Sequence, residues 1–326
     1  MSTRADVAIM VAIAEIDHSA RPLLKKAATL ARRRNADLHL VHVIALPYGP
    51  VARAGSSVRA AFNQTLEERR AALAKLARMT ALEGLEVTTS VVWDYPASDA
   101  IVRQVLRRRP ALLIAESQRH SRLKRVLLSN TDWELIRNCP CPLLLSKTPR
   151  SPSQPTVVAA LDPFHARAKP AGLDALILEA ALAAAGTASR VLAFHAQELP
   201  QVPVDGVFEP YWSTMSASAL ATFEGSIVKT LATEAERFGI PEDNISYERG
   251  DAKSRLPRFA KRRGADIVVM GAVSRSGLTR LFIGNTAERV IDKLDCDVLI
   301  VKPRRFATPV QRRPAALLPY SPYPLA

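Results

Sequence analysis

The sequence predicts an α/β protein built from two tandem domains, each a five-stranded parallel sheet with helices on both faces. Three observations lead there. Short apolar runs bounded by Gly, Pro or Asp alternate with longer stretches of helical period along most of the chain. The chain also matches itself: a shift of 155 puts Ser129-Asn130-Thr131 on Gly284-Asn285-Thr286, Ile136 on Ile291, Cys141 on Cys296 and Lys147 on Lys302. A shift of 153 lays LHLVHVIALP (Leu38 to Pro47) over VLAFHAQELP (Val191 to Pro200), superposing His42 on His195. Finally, 326 residues with 48% hydrophobic content suffice for two separate cores.

Taken in order, the first copy reads as strands near 7–13, 37–43, 86–92, 111–115 and 142–145, with helices near 21–34, 59–83, 98–108 and 131–138. The second reads as strands near 156–161, 190–195, 245–249, 266–270 and 297–301, with helices near 170–185, 216–238, 253–263 and 285–294. Each copy has a longer connection after its second strand, 47–57 and 200–213, placed like a functional lid. Asp251 follows Gly250 as a helix cap, and Asp94 is expected to play the same part in the first copy. The expected domains are 1–147 and 156–303, joined by a linker at 148–155 whose prolines and serines suit exposure. A basic, proline-rich tail, 304–326, lacks periodicity and is expected to be disordered or extended, touching the surface through Leu317, Leu318 and Tyr320.

The most informative stretch runs from Ala265 to Pro303. An apolar strand ends at Met270-Gly271, and a second runs from Val298 to Val301. Between them a helix opens at Asn285 and Thr286 and places Ala287, Val290, Ile291 and Leu294 on one face. Gly271, Ser274 and Gly284 punctuate the intervening loop, two and then nine residues apart. Glycine lets backbone approach an anion, and a helix mouth offers free N–H groups with partial positive charge, so the pattern describes a phosphate cradle at the carboxyl end of a strand.

The repeated halves, the segment VMGAVSRSG…IGNTAERVIDKLDCDVLIVKP and the first copy's TDWELIRNCPCPLLLSK resemble the tandem universal stress protein family. The likeness extends from about residue 7 to 310. It implies Rossmann-like domains that in some members bind ATP, and a role in stress survival without a known reaction. Tandem members pair their two domains within one chain; a homodimer of such chains stays open, and so does the identity of any protein partner. Carried over residue by residue, the resemblance assigns Asp162 to adenine and the Ala196 backbone to the base edge. It gives Met270, Gly271, Ser274, Gly284, Asn285 and Thr286 to the phosphates. Ser274 stands where the family has glycine and Asn285 where it has Ser or Thr; both side chains can donate a hydrogen bond to phosphate. Arg275 lies within reach of the same group. In the first copy the three glycine positions hold Glu116, Arg119 and Ser129, which disfavours a nucleotide there. The cofactor expected is therefore ATP or another adenine nucleotide in the second domain only. The alternative is a scaffold that binds another ligand or a protein partner and no nucleotide.

Charge divides the chain unevenly. Residues 1–148 carry 23 Lys and Arg against 13 Asp and Glu, residues 149–303 carry 18 of each, and the tail adds four Arg and no acid. With aromatics only 6% of the chain, the interleaving that binds single-stranded nucleic acid is missing, so the arginine clusters read as solvated helix ends. The six histidines show no triad or metal-ligand spacing; His39 and His42 fall on opposite faces of a strand, and His42 and His195 read as structural. No catalytic group is assigned, and slow ATP hydrolysis is the most the family likeness allows; it would need a metal and a base that the sequence does not display. Three cysteines, Cys139, Cys141 and Cys296, and no apolar span of membrane length point to a cytoplasmic protein without membrane insertion.

Overall fold

The computed structural model describes residues 8–47, 55–117, 128–164, 172–198, 201–204, 207–271 and 285–313. The chain divides into two compact units, Met1–Ser151 with Arg304–Ala326, and Pro152–Pro303. The C-terminal stretch thus groups with the first unit; within it Val310 is buried. Leu317, Leu318 and Tyr320 lie outside the described residues.

Unit 1 runs β1 (Ala8–Ile13), α1 (Arg21–Arg34), β2 (Asp37–Ile44), α2 (Ser56–Ala77), β3 (Val87–Trp93), α3 (Ala97–Arg108), β4 (Leu112–Glu116), α4 (Asn130–Asn138) and β5 (Leu143–Ser146). The strands pair in parallel in the order β5-β4-β1-β2-β3. Central strands covered on both faces must be apolar almost throughout, and Ile9, Met10, Val11, Leu113 and Ile114 are fully buried. Strand β3, at the edge, exposes Thr88 and Thr89 instead. Pro22 sits in the first turn of α1, where its missing N–H costs nothing, and Asn35 ends that helix in the left-handed region at φ 47°.

One expectation fails in this unit. Asp94 does not cap α3, because Pro96 holds the N-cap position. Asp94 instead accepts two bonds from Arg103, Nε to Oδ2 at 2.6 Å and Nη2 to Oδ1 at 2.8 Å, with both side chains 4% exposed. The Tyr95 amide completes its shell at 2.7 Å. A carboxylate this deep needs a full counter-charge, and a two-pronged guanidinium supplies it.

Unit 2 repeats the plan: β6 (Val157–Ala160), α5 (Leu173–Ala185), β7 (Val191–Gln197), a hairpin β8 (Gln201–Val204) and β9 (Val207–Pro210), α6 (Ala217–Glu236), β10 (Ile245–Arg249), α7 (Ala252–Arg262), β11 (Ile267–Gly271), α8 (Asn285–Lys293) and β12 (Asp297–Val301). Its parallel sheet follows the order β12-β11-β6-β7-β10. The antiparallel hairpin occupies the long second connection, which the sequence reads as plain loop because Pro203 and Pro210 interrupt two very short runs. Ser216 and Asp251 cap α6 and α7, accepting from the Ala219 and Lys253 amides at 3.2 and 3.0 Å.

Helix α7 contains Pro257, whose ring nitrogen has no hydrogen to give the Lys253 carbonyl one turn back. That carbonyl accepts from Lys293 Nζ of α8 at 3.3 Å. The predicted apolar face of α8 is realised, with Val290, Ile291 and Leu294 at 0–2% exposure. Among the described residues no helix is long and apolar enough to cross a membrane.

Candidate functional site

The sheet of unit 2 reverses its order at β6, whose neighbours β7 and β11 run on from opposite sides. Helices leaving such neighbours depart to opposite faces and open a crevice beyond the strand ends. Register fixes what stands at its rim. Ala160 pairs with Phe194 and Ala159 with Val269, so two residues further along the chain lie Asp162, just past the end of β6, Ala196 on β7 and Gly271 at the end of β11, all within one residue of the same level. The ladder continues past β6, since the Leu161 amide donates to the Phe194 carbonyl at 2.9 Å.

Each rim residue has a local reason for its place. The Asp162 amide donates to Asp174 Oδ1 at 3.3 Å, tying the strand end to the first turn of α5. Gly271 ends β11 opposite Val301, and its backbone stays outside the left-handed region. What requires glycine here is packing: a Cβ would lie 2.7 Å from Leu173 Cδ2, the first residue of α5. The sequence assigns Gly271 to a turn that approaches an anion; the described geometry gives it the separate task of admitting Leu173. Met270 is buried beside it, paired with Ile300. Asn285 and Thr286 open α8, as expected. Ser274, Arg275 and Gly284 lie outside the described residues, as does Arg119 of the first copy.

His195, between Phe194 and Ala196, is held through Nδ1 by the Leu161 carbonyl at 2.9 Å and through Nε2 by Gln197 Oε1 at 3.1 Å. Phe164, 42% exposed, leans on its ring at 5.4 Å between centroids. Unit 1 repeats the first contact: His42 Nδ1 meets the Ile13 carbonyl at 2.9 Å. Burial pushes the His42 ring below its ordinary pKa, so it stays neutral and braces the first strand against the second. His39 turns the other way, to Thr88 Oγ1 and Ser90 Oγ at 2.7 and 2.8 Å, and burial, helped by Arg108, lowers it to about 4.

The matching helix mouth of unit 1 is built differently. Ser129 caps α4, accepting from the Asp132 amide at 3.2 Å, and Asp132 Oδ2 accepts in return from the Ser129 amide at 2.8 Å and Ser117 Oγ at 3.2 Å. Asp132 is 3% exposed, and burial raises its pKa despite these bonds. A carboxylate of the chain therefore occupies the position where the first N–H groups of the helix would meet an anion. Sequence reasoning stopped at Glu116, Arg119 and Ser129; the Ser-x-x-Asp spacing from Ser129 was the signal for Asp132. Among the described residues no group of three or more His, Cys, Asp or Glu could hold a metal, and Cys139, Cys141 and Cys296 are free thiols.

The universal stress protein family profile matches residues 8–147 and again 157–302, once for each unit. The chain belongs to the universal stress protein family and carries the domain twice. It is similar to universal stress protein E of Escherichia coli strain K12, with 26% identity over 318 residues that span 93% of this chain and 96% of that protein. The universal stress protein E homolog of Haemophilus influenzae is 25% identical over 268 residues, 82% of this chain and 86% of that one. Among solved structures, a putative universal stress protein from Pseudomonas aeruginosa UCBPP-PA14 superposes with a TM-score of 0.66 at 28% identity, covering 92% of this chain and 95% of its own.

Proposed function

We propose that this protein acts in stress survival as a cytoplasmic, non-enzymatic nucleotide-responsive protein, binding ATP or another adenine nucleotide in unit 2. The observation that carries the reading is the level alignment of Asp162, Ala196 and Gly271 at the point where the sheet reverses order. In this reading the Asp162 carboxylate and the Ala196 backbone recognise the adenine. Gly271, Ser274, Gly284, Asn285 and Thr286 approach the phosphates at the mouth of α8, with Arg275 in reach. The small side chain of Ala196 leaves its part of the rim open to a flat base. Unit 1, whose helix mouth is filled by Asp132, takes no nucleotide.

Thermal unfolding of the full chain tests this. A ligand at a hundred times its Kd stabilises the folded state by about 2.7 kcal/mol, so millimolar ATP raises the melting temperature. The substitutions Asp162→Ala and Gly271→Asp, each compared with its own nucleotide-free baseline, remove the rise. An unsubstituted chain whose melting temperature ignores millimolar ATP overturns the reading.

A further inference from the structure

Away from the switch point, unit 2 has an open cavity of about 430 Å³ at the free edge of its sheet, lined by Glu224 of α6, Tyr247, Glu248 and Arg249 of β10, and Arg255 and Arg262 of α7. Three arginines and two glutamates are among the residues that line it. Their pairing decides its chemistry. Arg249 grips both oxygens of Glu224, and Arg262 bonds Glu248. Arg255 is left over: half-buried, its guanidinium makes no hydrogen bond or ion pair among the described residues, while its amide bonds the Asp251 carbonyl within the helix. The Tyr247 hydroxyl likewise has no hydrogen-bond partner there, while its ring stacks on His195 at 6.3 Å. Burial and the neighbouring Glu224 raise its pKa, so the hydroxyl keeps its proton at neutral pH and remains a donor.

The position of Arg255 is built. Gly250, with φ at 117°, turns the chain out of β10, and its amide still donates to the Gln197 carbonyl at 2.9 Å. The Arg255 guanidinium lies across the face of that glycine, with Nε 2.8 Å from where a Cβ would begin. Any side chain at Gly250 would displace it. The fork is thus set against the backbone of Gly250 in a cavity that the Tyr247 side chain also lines, and each of the two Arg–Glu pairs around it is neutral in itself. A single positive charge remains for an incoming group.

We propose that this cavity binds a small metabolite through an oxoanion head, a carboxylate or a phosphate monoester, held by the Arg255 fork and the Tyr247 hydroxyl. The free volume beyond the head accommodates an organic body of several heavy atoms. This site shares no residue with the proposed nucleotide site.

The test follows the Arg255 Nε–H resonance of the full chain at low ionic strength, assigned by its loss in Arg255→Lys. Phenyl phosphate and benzoate are the probes, titrated separately, so that the response identifies which head is preferred. A saturable shift with either probe is expected, and isothermal titration calorimetry, which needs no signal from Arg255, should find the affinity reduced at least tenfold in Arg255→Ala and severalfold in Tyr247→Phe. The shift should survive in Asp162→Ala, which separates it from the nucleotide site. Circular dichroism of both cavity variants should match the parent; Arg255→Lys, which keeps the charge and loses the fork, provides a second folded control with weakened binding. No saturable shift with either probe, or an affinity unchanged in Arg255→Ala, overturns the proposal.

Discussion

Leu173 and Gly271 meet where the second unit's sheet changes direction: the leucine Cδ2 stands 2.7 Å from the point at which a side chain on Gly271 would start. Helix α5 is thereby seated on the end of β11 with no slack, and Leu173 is 2% exposed. Gly271→Ala should cost about 1–3 kcal/mol through overpacking, and Leu173→Ala about 2–5 kcal/mol through the cavity it leaves. The double variant should cost clearly less than the two together, because each change makes room for the other. Urea unfolding of the four proteins measures this; additivity within about 0.5 kcal/mol would contradict the contact.

The buried pair of Asp94 and Arg103 should behave asymmetrically. Removing one partner, as in Arg103→Ala, strands a charge at a site only 4% exposed and should cost about 3–5 kcal/mol. Replacing both by apolar residues of similar volume should recover most of that loss. Chemical denaturation of the single and double variants distinguishes the two cases.

Lys293 stands in for the hydrogen that Pro257 lacks, bonding the Lys253 carbonyl. The contact is exposed, so Lys293→Ala should cost only about 0.5–1 kcal/mol. In a Pro257→Ala background the helix can donate to that carbonyl from its own backbone, and Lys293→Ala should then be close to neutral. Melting curves of the four combinations would show the difference, and equal losses in both backgrounds would argue against the substitution of one donor for the other.

His39 gives unit 1 a pH dependence of known sign. Burial lowers its pKa from 6.5 to about 4, so between those values the unfolded chain takes up a proton that the folded chain refuses. Stability contributed by the neutral ring is fully present above pH 6.5 and is lost as pH falls toward 4, by on the order of 2 kcal/mol after allowance for partial solvation. His39→Gln should flatten this part of the pH profile when urea midpoints at pH 7 and pH 4.5 are compared. An unchanged difference between the two pH values would show that the ring is not responsible.

The strands and the duplication were legible because strands buried on both faces carry unbroken apolar runs, and the Leu38–Pro47 match to Val191–Pro200 exposed the repeat. The helix face of Val290, Ile291 and Leu294 was readable for the same reason. The β8–β9 hairpin was hidden because four-residue strands leave too short a pattern. Asp94 was misread because it stands as the first copy's counterpart of Asp251, while its true partner, Arg103, lies nine residues on and carries no sequence signal. Around the candidate site, glycine spacing suggested Gly271, but nothing in the chain announced Leu173 as its neighbour. The Arg255 cavity depends on which of three arginines finds a glutamate, and only three-dimensional pairing settles that.

Asp132 gives unit 1 a property that composition alone does not suggest. An anion delivered by the chain itself sits at its helix mouth at an effective concentration that dilution cannot reduce. Mass action has no hold on such an internal contact. In unit 2 the corresponding position is Ala287, which brings no charge of its own. Duplication has therefore left one half with a carboxylate built into its helix mouth and the other with an alanine at the same place.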